Sequence, residues 1–351
     1  MKAVIFGCAG PVLADEEKAF FERVDPLGFI LFDRNCIDPS QLKTLVQDLK
    51  SCVGRDDIPI LIDREGGRIS RLNPKFWRAP PSPRAFGDVY DVDPDAVYEA
   101  VYNNARLMAH DLAEMGFLVN CTPLADVPLS DAHPVISDRA FSHDIDVVTS
   151  LCMASIEGTQ DMGIVPVLKH FPGHGRAMVD SHEELPIVRS SLKDLVDVDF
   201  YAFKAILSTL HETLRPLPWG MTAHIVYQEI DDQWPATFSS KVIDHIIRGH
   251  LDFQGFLISD CLTMKALKGT MGSRAERAIE AGCDAVLHCN GDLMEMVEIA
   301  ANVPVIDDHS LSLLKESIPT QKFKALDSPL LEQSIQETLF LEGRGMRAQK
   351  M

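Results

Sequence analysis

Eight short apolar runs, each followed by a longer stretch with apolar residues three and four apart, constrain the fold of this 351-residue chain more than any other feature. The runs are Ala3–Cys8, Gly28–Phe32, Ile58–Ile62, Gly116–Val119, Val165–Leu168, Gly220–Ala223, Gly255–Ser259 and Asp284–His288. Runs this short and this apolar are strands, whereas Pro39–Val53, Asp95–Met115, Val147–Met162, Leu192–Thr213 and Ser240–Asp252 have the spacing of amphipathic helices. Alternation of strand and helix demands right-handed crossovers and a parallel sheet. Eight units suit a closed (β/α)8 TIM barrel of the α/β class better than an open sheet. A doubly wound dinucleotide fold is disfavoured, because Gly7-Cys8-Ala9-Gly10 lacks the full glycine pattern.

Such barrels often run past ~250 residues as one unit, and no linker, repeat or low-complexity tract divides this chain. One catalytic barrel domain over residues 1–351 is therefore expected, with a helical extension after about residue 300 and a frayed basic end at Arg344–Lys350. The proline-rich segment 78–83 reads as a rigid loop after a strand, and residues 216–219 as a second rigid connection.

Charge limits the partners: 52 acidic against 33 basic side chains, a net −19, repel phosphate backbones and anionic lipid. Binding to nucleic acid or to a membrane surface is not expected. The eight cysteines are scattered, mostly in apolar stretches, without the paired spacing of a zinc site, and read as reduced thiols of a cytoplasmic protein. Residues 1–8 superficially resemble a lipoprotein cleavage site, but the apolar run before Cys8 is shorter than the ~7 residues a signal segment needs. No run approaches the ~18 apolar residues of a membrane span.

Several apolar runs end in a residue able to bind or react. They lead to Asp33-Arg34-Asn35, to Asp63, to Asn120, to Lys169-His170, to His224 and to Asp260. In a β/α barrel these strand ends converge on the C-terminal rim, where such folds place their sites. A helix N-cap is the plainer reading of any single Asp or Asn, but Lys169 and His170 are poor caps. The spacing of His170 and His174 invites a zinc reading, which Pro172, Gly173 and Gly175 oppose by making a helix there unfavourable. A loop holding a cation and imidazoles suits a neutral, hydroxyl-rich ligand, to which both donate hydrogen bonds. Downstream, Asp180 and His182 stand two apart, so an extended segment turns both to one side and the carboxylate can orient the ring for proton transfer. Asp-x-His is common, and an Asx-turn beside an exposed histidine is its bland alternative.

Taken together, Lys169–Gly175, Val179–His182 and Leu185-Pro186 resemble the signature of glycoside hydrolase family 3, of the bacterial β-N-acetylglucosaminidase (NagZ) type. Residues 62–71, 138–142, 221–224, 235–237 and 258–260 agree in order, and the similarity runs from about Gly28 to Asn290. The resemblance implies a retaining exo-β-N-acetylglucosaminidase (β-N-acetylhexosaminidase) that needs no cofactor and no metal. It implies Asp260 as nucleophile, His182 held by Asp180 as acid/base, and Asp63, Arg71, Arg139, Lys169 and His170 as the residues that grip the terminal sugar. Its substrates would be N-acetylglucosamine-containing saccharides or muropeptides, in peptidoglycan recycling. A phosphorylase of the same family and an inactive sugar-binding protein are the alternatives; the joint presence of Asp260, Asp180 and His182 opposes the second. The chain departs from the family pattern at Cys261, where many relatives carry Asp or Ala, and in the compact segment 269–273.

Overall fold

The computed structural model describes residues 1–129, 133–320 and 326–340, so the basic end at Arg344–Lys350 lies outside the described residues. Eight parallel strands close into a barrel: β1 (Lys2–Gly7), β2 (Pro26–Leu31), β3 (Ile60–Ile62), β4 (Val119–Asn120), β5 (Val165–Phe171), β6 (Trp219–Thr222), β7 (Leu257–Cys261) and β8 (Ala285–His288). Each pairs with its sequence neighbours, and β1 meets β8 through Val4 opposite Val286 and Ile5 opposite Leu287.

The strands are apolar throughout because both of their faces are buried. Alternate side chains go to two different cores. Ile5, Ile30, Leu61, Val165, Val167, Met221 and Ile258 belong to one cluster, the barrel interior. Val4, Phe6, Phe29, Leu31, Ile60 and Ile62 belong to the larger cluster shared with the surrounding helices. Helix Asp308–Glu316 contributes Leu314 to the interior cluster. Nearby, Trp219 at the start of β6 donates its indole N–H to Ser317 Oγ at 2.8 Å. This closes the end of the barrel where the strands begin.

Helix boundaries follow local chemistry. Pro39–Val53 starts with Pro at its first position and the Asp38 carboxylate capping the Ser40 and Gln41 N–H groups, and it stops at Gly54, whose φ of 65° few other residues tolerate. The stretch expected as a helix over 192–213 is helical throughout, but not uniformly: the α-helical turn Leu192–Asp194 runs into a wider i→i+5 segment, Leu195–Asp199, and on into helix Phe200–Thr213. Within the wider segment Asp199 pairs with Arg176, and the chain passes so close to Gly173 that a Cβ added there would lie 3.0 Å from the Asp199 Cβ. Helix Ser328–Leu339 packs against helix Pro94–Met115. No helix among the described residues is long and apolar enough to cross a membrane.

Candidate active site

Where the strands end, a cavity of about 270 Å³ gathers Asp63, Arg71, Arg139, Lys169, His170, His182 and Asp260. A groove of about 710 Å³ lies elsewhere, around Trp234 and Arg277, and contains none of these groups. Asp63 directly follows β3, Lys169 and His170 lie in β5, and Asp260 lies in β7. Arg71 follows a small hairpin, Arg64–Gly66 with Ile69–Ser70, and Arg139 ends the short turn Ser137–Arg139.

The charges on one side of the cavity are internally compensated. Glu65, whose side chain is fully buried, accepts from Arg139 Nε at 2.8 Å and from Lys169 Nζ at 2.7 Å. Burial alone would raise the Glu65 pKa, but these two cations outweigh it and hold the carboxyl far below the usual carboxylate range. Lys169 also reaches Asp63 Oδ1 at 3.2 Å, and Arg71 lies 3.4 Å from the other Asp63 oxygen. Against burial, Glu65 and Asp63 keep Lys169 firmly protonated. The result is a fixed set of donors and acceptors, the kind of lining that grips hydroxyl groups.

Beneath His170 lies a second buried carboxylate. Asp126 Oδ2 is 2.7 Å from His170 Nδ1, while Asp126 Oδ1 accepts the backbone N–H groups of His170 and His174. This leaves the far nitrogen of the His170 ring free to turn toward the cavity. His170 belongs to a strand, so the helical zinc-pair geometry does not arise. His174 is buried, its Nε2 lies 3.0 Å from Ser181 Oγ, and burial together with His170 lowers its pKa to about 4.

Asp260 is held as an anion. Burial opposes its charge, but the imidazoles of His224, His170 and His182 and the Cys261 N–H, which it accepts at 2.7 Å, lower its pKa to about 2. His224 does not line the cavity; it is fully buried, bridging Thr237 Oγ1 at 2.7 Å and the Cys261 carbonyl at 3.0 Å. The Cys261 thiol sits 3.0 Å from Thr263 Oγ1, and hydrogen bonding with Cys289 and Thr263 holds it below the ordinary thiol range.

His182 stands on the loop after β5, its side chain 60% exposed, with Nδ1 2.7 Å from Asp180 Oδ1. The same carboxylate oxygen accepts the His182 backbone N–H at 2.9 Å. Burial works against the Asp180 charge, yet these two bonds hold its pKa below the usual range. With Nδ1 engaged, Nε2 is the nitrogen left for chemistry. An exposed imidazole oriented by a carboxylate, sharing a cavity with a buried carboxylate anion, can deliver and accept a proton opposite a nucleophile.

Residues 13–319 match the family described as glycosyl hydrolase family 3 N terminal domain. The chain belongs to this family. It is 34% identical over 311 residues to a β-hexosaminidase of Bordetella avium, covering 87% of this chain and 86% of that one. Among solved structures it resembles NagZ from Neisseria gonorrhoeae in complex with N-trifluoroacetyl-D-glucosamine, with TM-score 0.84, 29% identity and coverage of 97% and 98%. It also resembles a family 3 β-N-acetylglucosaminidase from Paenibacillus sp., with TM-score 0.81, 26% identity and 96% of this chain covered, although the chain spans only 66% of that longer protein.

Within this family 3 barrel, seven of the eight residues to which the resemblance assigned a role line one cavity, and the eighth, Asp180, touches it through His182. Asn120 and residues 33–35 do not line it. Asn120 braces the chain by pairing with both the N–H and the carbonyl of Arg64, at 3.0 and 3.2 Å. Glu65 and Asp126 had no place among the candidates. The signal for Asp126 was present: a second apolar stretch, Cys121–Ala125, ends in it, and Leu124 bridges to Lys169 of β5.

Proposed function

We propose that the protein is a retaining exo-β-N-acetylglucosaminidase that removes a terminal N-acetylglucosamine. The observation that carries this reading is the pairing, across one cavity, of a buried aspartate held ionised, Asp260, with an exposed imidazole oriented by a carboxylate, His182 with Asp180. The names of the relatives favour the same chemistry, and one of them is described with an N-acylated glucosamine bound.

In this reading Asp260 attacks the anomeric carbon and forms a glycosyl ester while His182 Nε2 gives its proton to the departing oxygen. The same nitrogen then takes a proton from water, and hydroxide releases the sugar with its configuration retained. Asp180 steadies the ring in the imidazolium state. Asp63, Arg71, Arg139, Lys169 and His170 hold the sugar hydroxyls and the acetamido group. The finer setting, cytoplasmic turnover of cell-wall fragments by one barrel domain with appended helices, is part of the proposal, and the eight unpaired cysteines suit a reducing compartment.

Aryl β-glycosides that differ only at C2 test the assignment. The 2-acetamido sugar should be cleaved at least 100-fold faster than plain glucoside, because a site built for a polar substituent is left with unpaired groups by its absence, on the order of 10² or more in rate. Equal rates would defeat it. Running both substrates with and without phosphate separates hydrolysis from phosphorolysis: the account expects free sugar in each case, and a sugar 1-phosphate would move the protein to the phosphorylase branch.

A further inference from the structure

We infer that Lys265 is a positioning residue that fastens the loop bearing His182 to the segment that follows the nucleophile. The inference rests on the reading of His182 as acid/base and Asp260 as nucleophile. The relevant contacts run through four consecutive residues. Asp180 holds the His182 ring, and Ser181 is tied inward to His174, which lies just past β5. Both of these contacts join the loop to itself or to the strand it leaves. Neither sets where the loop stands relative to β7.

Two contacts to the segment after β7 do. The Lys265 backbone N–H donates to the His182 carbonyl at 3.2 Å, and the Lys265 ammonium pairs with the Glu183 carboxylate. Lys265 follows Asp260 by five residues, and the intervening Thr263 and Met264 line the same cavity. One residue therefore reaches from the nucleophile's segment to the two residues at the tip of the acid/base loop. The span it controls is the separation between attacking carboxylate and proton donor, on which a two-group displacement depends.

The strength of the clasp follows from its exposure. Lys265 and Glu183 are 68% and 66% exposed in their side chains, so water and salt screen the pair, and it biases the loop toward the position it holds against the segment after β7 without locking it. The backbone bond survives any side-chain change. Losing the ion pair should therefore let the loop leave that position more often while the barrel, Asp260 and the sugar-gripping residues stay in place.

The test compares N,N′-diacetylchitobiose, whose leaving group needs a proton, with a dinitrophenyl N-acetylglucosaminide, whose leaving group does not. Lys265→Met and Glu183→Gln should each slow the disaccharide about two- to fivefold, the usual worth of an exposed ion pair, and leave the first burst of dinitrophenol nearly unchanged. Raising the salt to about 0.5 M, where the Debye length falls below ~5 Å, should bring the wild type to the rate of the variants and barely affect them. The swap Glu183→Lys with Lys265→Glu should recover part of the loss. A merely structural role would slow both substrates together, and that result, or no slowing of the disaccharide by either variant, overturns the inference. His182→Ala run in parallel guards the premise. If it slows both leaving groups alike, the acid/base assignment fails and the clasp with it; if it shows the split and Lys265→Met does not, the clasp alone is wrong.

Discussion

At the scale of single residues, Glu65 is a carboxylate that never touches bulk water yet keeps Arg139 and Lys169 in place. Its depressed pKa means that its stabilising contribution is complete above the unfolded value near ~4.3 and is lost as pH falls through that value toward the folded one. Glu65→Gln should cost roughly 3–5 kcal/mol, because two cations are left with one buried partner removed. Chemical denaturation at pH 7 reads the loss directly, and a change under about 1 kcal/mol would mean that Asp63 and water suffice to pair them. Asp126 carries a similar duty beneath His170 and His174. Glu65 could not be read as a site member from the chain alone, because it acts through Arg139 and Lys169, both distant in sequence, whereas Asp126, which also acts through a distant neighbour, left one signal, the apolar stretch Cys121–Ala125 that ends in it. Asp63, Lys169 and Asp260 could be read so, because a polar residue ending a buried strand has only the rim to occupy.

At the scale of elements, the strands were legible and the helices less so. A strand buried on both faces writes itself as an unbroken apolar run, and all eight runs overlap a barrel strand. The segment 192–213 reads as one helix by its spacing and is helical throughout, but spacing does not show that it widens around Asp199, which pairs with Arg176 of the loop after β5. The loop itself is held in place by Gly175, whose added Cβ would lie 1.9 Å from the Val127 carbonyl oxygen, while its own carbonyl accepts the Leu129 N–H at 3.0 Å. Gly175→Ala must therefore push the strand-like pairing apart and carry His182 with it. The expected outcome is a fall in kcat/KM on a disaccharide of up to about 100-fold, the size of effect that a 1 Å misplacement produces. Wild-type kinetics in this variant would show that the loop is positioned from elsewhere.

At the scale of the whole molecule, the balance of buried titrating groups sets how stability follows pH. His174, His224 and His288 have lowered pKa values, so below about 6.5 the unfolded chain binds protons that the native state refuses, and stability falls. Glu65, Asp126 and Asp260, also lowered, extend the fall below about 4.5. Asp199, raised by burial to about 6 despite Arg176, acts in the opposite sense between about 4 and 6, and Asp111 joins it. Three histidines outnumber these two carboxyls, so the midpoint of urea unfolding should drop steadily from pH 7.5 to 5. A midpoint that rises over that interval would reverse the balance. A covalent intermediate on Asp260 can be trapped by incubating the protein with a fluorinated N-acetylglucosamine derivative bearing a good leaving group and located by mass spectrometry after digestion. One glycosyl group is expected, on the peptide containing Asp260, formed at a rate that stays flat from pH 7 to 5 because neighbouring imidazoles and the Cys261 N–H hold that carboxyl ionised, its pKa lowered to about 2. An adduct on any other carboxylate, or turnover with inverted configuration and no adduct, would contradict that intermediate.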